Sequence, residues 1–175
     1  VATQTLEGQT CPMCMKNTLT LSQSELEVPY FGKLLAFGMR CSTCKYAKSD
    51  VEAEEQKEPS KYTLEVSGED DLNARVIRSS EGVIKIPRVG SIEPGPEAEG
   101  FVSNVEGVLE RFKKQLEVIR DTADDESDKK KAKNMIKKLQ KVLWGNEKIK
   151  IMIEDKSGNS AIISDKAKYE KLKSK

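Results

Sequence analysis

A mixed, mainly β fold is what the sequence predicts: a small four-cysteine β module over residues 1–50, then an antiparallel β domain over residues 51–175 with an inserted α-helical hairpin at about 103–145. Three observations predict it. Two Cys-x2-Cys pairs bracket a segment of period-two hydrophobicity, further period-two segments stand on both sides of the 103–145 stretch, and inside that stretch the apolar period lengthens to that of a helix.

Composition narrows the function before any element is placed. The 175 residues include 30 Lys+Arg, 29 Asp+Glu and no histidine. Ser-His-Asp and Cys-His nucleophilic sites, His-ligated metals and ordinary imidazole acid/base chemistry are therefore excluded. No Walker-type phosphate loop is present, so an enzyme, and nucleotide hydrolysis in particular, is not expected. A net charge of +1 gives no overall drive toward nucleic acid or anionic lipid. No apolar run reaches the roughly 18–20 residues that span a bilayer, and no secretory signal is evident. The expectation is a soluble, cytoplasmic protein with no membrane partner.

All four cysteines lie early, as Cys11-Pro-Met-Cys14 and Cys41-Ser-Thr-Cys44, with 26 residues between the pairs. Each spacing suits a tight turn that lets two sulfurs converge, and two such turns make a tetrahedron. One Zn²⁺ bound by four thiolates has no open position for water, which marks a structural site rather than a catalytic one. Two disulfides fit less well without an export signal, and a redox pair accounts for only one of the two turns. Lys16, Arg40, Lys45 and Lys48 flank the cysteines and are expected to offset the charge of the thiolates. Leu19 to Leu21, Glu25 to Val28 and Leu34 to Met39 alternate around the Pro29 to Gly32 turn, so the module reads as a zinc ribbon.

Beyond it, Glu52 to Ser60 is an acidic linker or exposed strand end. Lys61 to Val66, Arg75 to Arg78 and Val83 to Ile86 read as strands, and Val89 to Gly100 holds too many Gly and Pro residues for regular structure. Ser103 and Glu106 fit a capping box for a helix from about 104 to 121, with Val105, Val108, Leu109, Phe112, Leu116 and Ile119 on one face. A second helix carries Ala132, Met135, Ile136, Leu139, Val142 and Leu143, and Gly145 stops it. Its lysine-rich opposite face reads as solvated, since aromatic stacking platforms for RNA are missing. Ile149, Ile151 and Ile153 alternate again, Ser157-Gly158-Asn159 turns, and Ala161 to Ile163 returns. Lys166 to Lys175 reads as a short helix or frayed tail.

The segments Val28 to Lys33, Cys41 to Tyr46, Asp70 to Ser79, Ile84 to Pro87, Ile92 to Gly95 and Ser103 to Gly107, taken in order with the two cysteine pairs, resemble the ZPR-type zinc-finger family in its single-module, archaeal form. The resemblance implies a zinc ribbon followed by a double-stranded β-helix with a helical hairpin insertion. It also implies binding to translation elongation factor one-alpha and assistance with that GTPase's folding or regulation. The alternative is a zinc ribbon associated with nucleic acid or the ribosome.

For such docking, Tyr30, Phe31, Leu34, Leu35 and Phe37 beside the ribbon turn, with Asp71, Asn73 and Arg75, are the candidate partner-binding residues. The other reading is that the aromatic turn plugs the ribbon onto the β domain, while Asp71, Asn73 and Arg75 serve an internal turn.

Overall fold

In the computed structural model, which describes residues 3–29, 31–55, 57–95 and 98–172, the cysteine-bearing segment forms a four-stranded antiparallel sheet. Its strands, in spatial order, are β1 (Thr3–Gln9), β2 (Leu19–Val28), β3 (Gly32–Cys41) and β4 (Ala47–Ala53). The β2–β3 hairpin stays in register over ten pairs, from Leu19 opposite Cys41 to Val28 opposite Gly32. At about 3.3 Å per residue this sets the cysteine end some 30 Å from the turn. β1 was not expected: apart from Leu6 it carries no large apolar side chain and it is almost wholly exposed, so pairing with β2 defines it.

The remaining chain makes two facing sheets. One orders β12 (Lys168–Lys171), β5 (Ser60–Val66), β10 (Ile149–Asp155), β7 (Val83–Ile86) and β8 (Gly90–Ile92). The other orders β11 (Ala161–Ile163), β6 (Arg75–Arg78) and β9 (Phe101–Asn104). Period-two alternation sends Leu64, Ile84, Ile151 and Ile153 from the first sheet, and Val76 and Ile162 from the second, into one core.

Between β9 and β10 run α2 (Val105–Thr122) and α3 (Glu126–Leu143), each 18 residues long. They close the core with Val105, Val108, Leu109, Phe112, Leu139 and Val142. A short helix, α1 (Glu69–Leu72), precedes β6.

The expected capping box is replaced by a cap one residue later. Ser103 is held in β9 opposite Val76, and the Asn104 side chain accepts the Gly107 N–H at 2.9 Å. Gly145 ends α3 at φ 70°: its N–H reaches the Val142 carbonyl at 2.9 Å and that of Asn146 reaches Lys141 at 2.8 Å. Both orphan carbonyls are thus satisfied in a Schellman turn. The apolar face of α2 stops at Leu116. Ile119 is 46% exposed, because the last turns stand opposite the polar start of α3. The lysine face of α3 is solvated and locally paired, with Lys129 on Glu126 at 2.7 Å and Lys131 on Asp128 at 2.9 Å.

Two further expectations are corrected. Residues 168–171 form an edge strand on β5 rather than a helix or tail; ladder pairing and the Tyr62–Tyr169 edge contact at 5.3 Å override the helix-forming lysines. The Gly- and Pro-rich stretch contains the strand β8, paired to β7 at Ile84 opposite Ile92. Residues 173–175 lie outside the described residues.

The turn half of the ribbon is docked on the β domain. Val28, Phe31, Leu34 and Val51 pack with Ile77 and Ala161 in a second apolar cluster. Hydrogen bonds stitch its rim: Gly100 N–H to Ser49 O at 3.0 Å, Ala53 N–H to the Asn159 side-chain oxygen at 3.0 Å, and Ser80 N–H to the Asp50 carboxylate at 2.8 Å.

Candidate metal centre and its surroundings

Each cysteine pair turns the chain in the same way. In the first, Met15 adopts φ 58°, its N–H bonding the Cys11 carbonyl at 2.9 Å, and the Cys11 N–H bonds Lys16 O at 2.9 Å. In the second, Lys45 adopts φ 64° and the Cys41 N–H bonds Tyr46 O at 2.8 Å. A left-handed conformation at a residue with a Cβ costs roughly 1–2 kcal/mol, so these turns need an external clamp.

The four Sγ atoms of Cys11, Cys14, Cys41 and Cys44 lie within 4.8 Å of one another. Cys11 and Cys44 sulfurs are 3.6 Å apart, and those of Cys14 and Cys41 are 3.7 Å apart. Four Zn–S bonds of about 2.3 Å in a tetrahedron require edges of about 3.8 Å. The donor set and its spacing therefore fit one structural zinc ion, with all four positions filled by protein. Leu19, Leu21, Met39 and Tyr46 pack around the sulfurs.

The sulfurs are not equivalent toward protons. The Thr18 hydroxyl, 3.3 Å away, and the backbone N–H groups of Cys44 and Thr43 bring the Cys41 thiol down to about 6. At Cys44 the Tyr46 N–H acts in the same sense, but burial and the three neighbouring sulfurs outweigh it and push the thiol up to about 12. Arg40, Lys45 and Lys48 line a groove of about 750 Å³ against Cys41, while Lys16 belongs to the first turn.

The candidate partner-binding residues divide. Tyr30 lies outside the described residues. Phe31 and Leu34 are buried, at 6% and 0% exposure, so an exposed aromatic turn is corrected to a plug: their side chains fill the cluster that joins ribbon to β domain. Leu35 and Phe37 are half-buried, and Phe37 lines a shallow groove with Leu6, Leu21 and Met39.

Asp71 is also internal. It accepts the Ser67 N–H at 2.9 Å and the Lys166 ammonium at 2.7 Å, and those partners, Lys166 foremost, hold its carboxyl below the usual range. Asn73 and Arg75 are exposed and line a second groove of about 540 Å³ with Leu26 and Val28 of the ribbon.

Sequence reasoning missed the buried Asp155, which accepts the hydroxyls of Ser79 at 2.7 Å and Ser160 at 2.5 Å. Ser79 closes one of the family-like segments, but nothing local to it signals a partner 76 residues away.

Fold and site together define a class: a structural zinc ribbon fastened to a jelly-roll β domain that carries a helical hairpin. The family model of the ZPR1 jelly-roll domain matches residues 70–175. The chain is 43% identical over 164 residues to a ZPR1-like protein of Methanocaldococcus jannaschii, covering 93% of this chain and 83% of that one. It is 42% identical over 167 residues to a ZPR1-like protein of Pyrococcus horikoshii, covering 93% and 75%. The zinc finger chaperone zpr1 of Schizosaccharomyces pombe is 29% identical over 158 residues, 87% of this chain and 33% of that protein. The chain belongs to the ZPR1 family, as an archaeal-like member with a single module. No helix among the described residues is long and apolar enough to cross a membrane.

Proposed function

We propose that the chain binds translation elongation factor one-alpha and assists its folding or regulation, acting in the cytoplasm without chemistry of its own. The observation that carries this reading is the orientation of the ribbon. Its turn half is buried against the jelly roll, so the zinc end faces outward with Leu6, Met13 and Met15 at 56%, 67% and 73% exposure. Large apolar side chains on a metal-clamped tip lose little entropy on docking to a partner. Methionines adapt to irregular apolar surfaces of the kind an incompletely folded client presents. The printed name of the fission-yeast relative, a zinc finger chaperone, supports the same class of activity. Asn73 and Arg75 remain the candidates for directional polar contacts; Phe31, Leu34 and Asp71 hold the scaffold.

The test is size-exclusion and calorimetric titration of the purified chain against the elongation factor, with GDP, with GTP and after chelation of zinc. A stoichiometric complex that depends on zinc and responds to nucleotide is expected, weakened by a Met13→Ser/Met15→Ser double substitution. Absence of any complex, or a salt-sensitive complex with RNA formed without the GTPase, would instead favour a ribosome- or nucleic-acid-associated role.

A further inference from the structure

Arg78 and Arg111 approach the same aromatic ring, their guanidinium carbons 5.7 and 4.2 Å from the centre of Phe101. Arg78 is only 3% exposed. Its Nε donates to the Gly82 carbonyl at 2.9 Å and its Nη1 to the Glu99 carbonyl at 2.7 Å. Neither acceptor is a charged group. Its Nη2 has no hydrogen-bond partner among the described residues.

Arg78 borders a cavity of about 450 Å³, and Arg111 and Lys114 of α2 stand on the same wall. Burial, and then the like charge of Arg111, lowers the Arg78 guanidinium from its ordinary value; Asp155 and Asp50 act in the opposite sense. Two carboxylate residues also border the cavity. Glu93 receives the Ser91 hydroxyl at 3.0 Å, and Glu99 contributes its backbone carbonyl to Arg78.

The groove beside the zinc centre shares Ser49 and Glu99 with this cavity and adds Arg40, Lys45 and Lys48. Among the described residues, six cationic residues therefore line the pair, against the carboxylates of Glu93 and Glu99 and the sulfur of Cys41. A lone carboxylate would leave most of that charge unmatched. Nucleic-acid bases need open aromatic faces for stacking, whereas the Phe101 ring is already engaged by two guanidinium groups. Arginine forks match phosphoryl oxygens, and a lysine adds a point charge.

We propose that the two adjoining cavities bind a small ligand bearing two or more phosphoryl groups, one of which is seated by Arg78, Arg111 and Lys114. The rest of the ligand lies along the groove toward Arg40 and Lys48. This site reaches the Cys41 side of the zinc centre but does not include the exposed Leu6, Met13 and Met15, and it does not depend on the identity of the protein partner.

The test titrates the full zinc-loaded chain with tripolyphosphate by calorimetry at fixed ionic strength, with zinc content measured before and after. Citrate and a short single-stranded RNA are run in parallel. One-to-one saturable binding is expected, weakened roughly ten- to a hundredfold by Arg111→Gln and by Lys114→Gln; both positions are exposed, and Lys114→Gln, which breaks no contact with Phe101, should leave thermal unfolding unchanged. Arg78→Lys should weaken it as well, and Lys130→Gln on the far helix should not. Lack of saturable binding, an equal loss in Lys130→Gln, or tighter binding of citrate would overturn the proposal. RNA binding with the same sensitivity to these variants would overturn it too, in favour of a polynucleotide site.

Discussion

Replacing Phe31 by alanine tests the plug directly. The side chain is 6% exposed and packed among Val28, Leu34, Val51, Ile77 and Ala161. An aromatic residue buries about 150–250 Å², most of it beyond Cβ, so truncation removes about 130 Å² of apolar contact. At about 25 cal/mol per Å² this is roughly 3 kcal/mol, and the cavity left behind brings the loss to about 3–4 kcal/mol. The Lys57 ammonium, 5.3 Å from the ring centre, loses its aromatic partner as well.

For a chain of this length the fall in Tm is roughly 10 °C. The change is localised, which sets the assay. Trp144 is the sole tryptophan and sits at the end of α3, whereas zinc reports on the ribbon. Urea unfolding followed by Trp144 fluorescence and by a colorimetric zinc-release dye should coincide in the native chain. In Phe31→Ala, zinc release should come first. A variant whose two transitions still coincide at the native midpoint would refute the assignment of Phe31 to the junction.

Cys14→Ser should abolish stoichiometric zinc in elemental analysis and unfold the ribbon while the Trp144 signal persists; because protons compete with zinc for the four thiolates, zinc retention should also fall as pH falls. Asp71, depressed by Lys166 and Ser67, contributes stability that is present above the ordinary aspartate range and lost as pH falls through its folded value; Lys166, raised by Asp71, contributes stability that is lost only at strongly alkaline pH. Asp71→Asn should therefore cost about 1–3 kcal/mol near neutrality in urea titrations and flatten the acid limb of the stability profile. In Gly100→Ala the new Cβ would stand 2.8 Å from Val51 N and 2.9 Å from Asp50 Cα, and closer still to Asp50 Oδ1. Since two of these are backbone atoms, β4 must shift, and a loss of about 1–3 kcal/mol should be read by thermal unfolding.

The metal centre was legible because its chemistry is local: four cysteines at two fixed spacings leave little else for the sulfurs to do. The helical hairpin and the β10 strand were legible because burial on one face imprints a period on the sequence, as in Ile149, Ile151 and Ile153. β1 and β12 were not. Both are exposed edge strands, defined by pairing with β2 and β5, and their side chains carry no alternation to read. The fate of Phe31 was undecidable from its neighbours, since an aromatic residue after a proline turn suits either a docking surface or a plug. Ile77 and Ala161 settle it, and they are 46 and 130 residues away. The Arg78 cavity was illegible for the same reason: β6, the 99–101 segment and α2 meet only in three dimensions.

A ten-pair hairpin gripped by a cation at one end and by a greasy socket at the other is a strut rather than a tether. Force applied at the sulfurs travels along the backbone ladder to the junction beside Asp50 and Gly100 instead of being dissipated in a hinge. A polypeptide that engages the tip thus gains leverage on the jelly roll itself, and its reach is set in advance by the length of two strands.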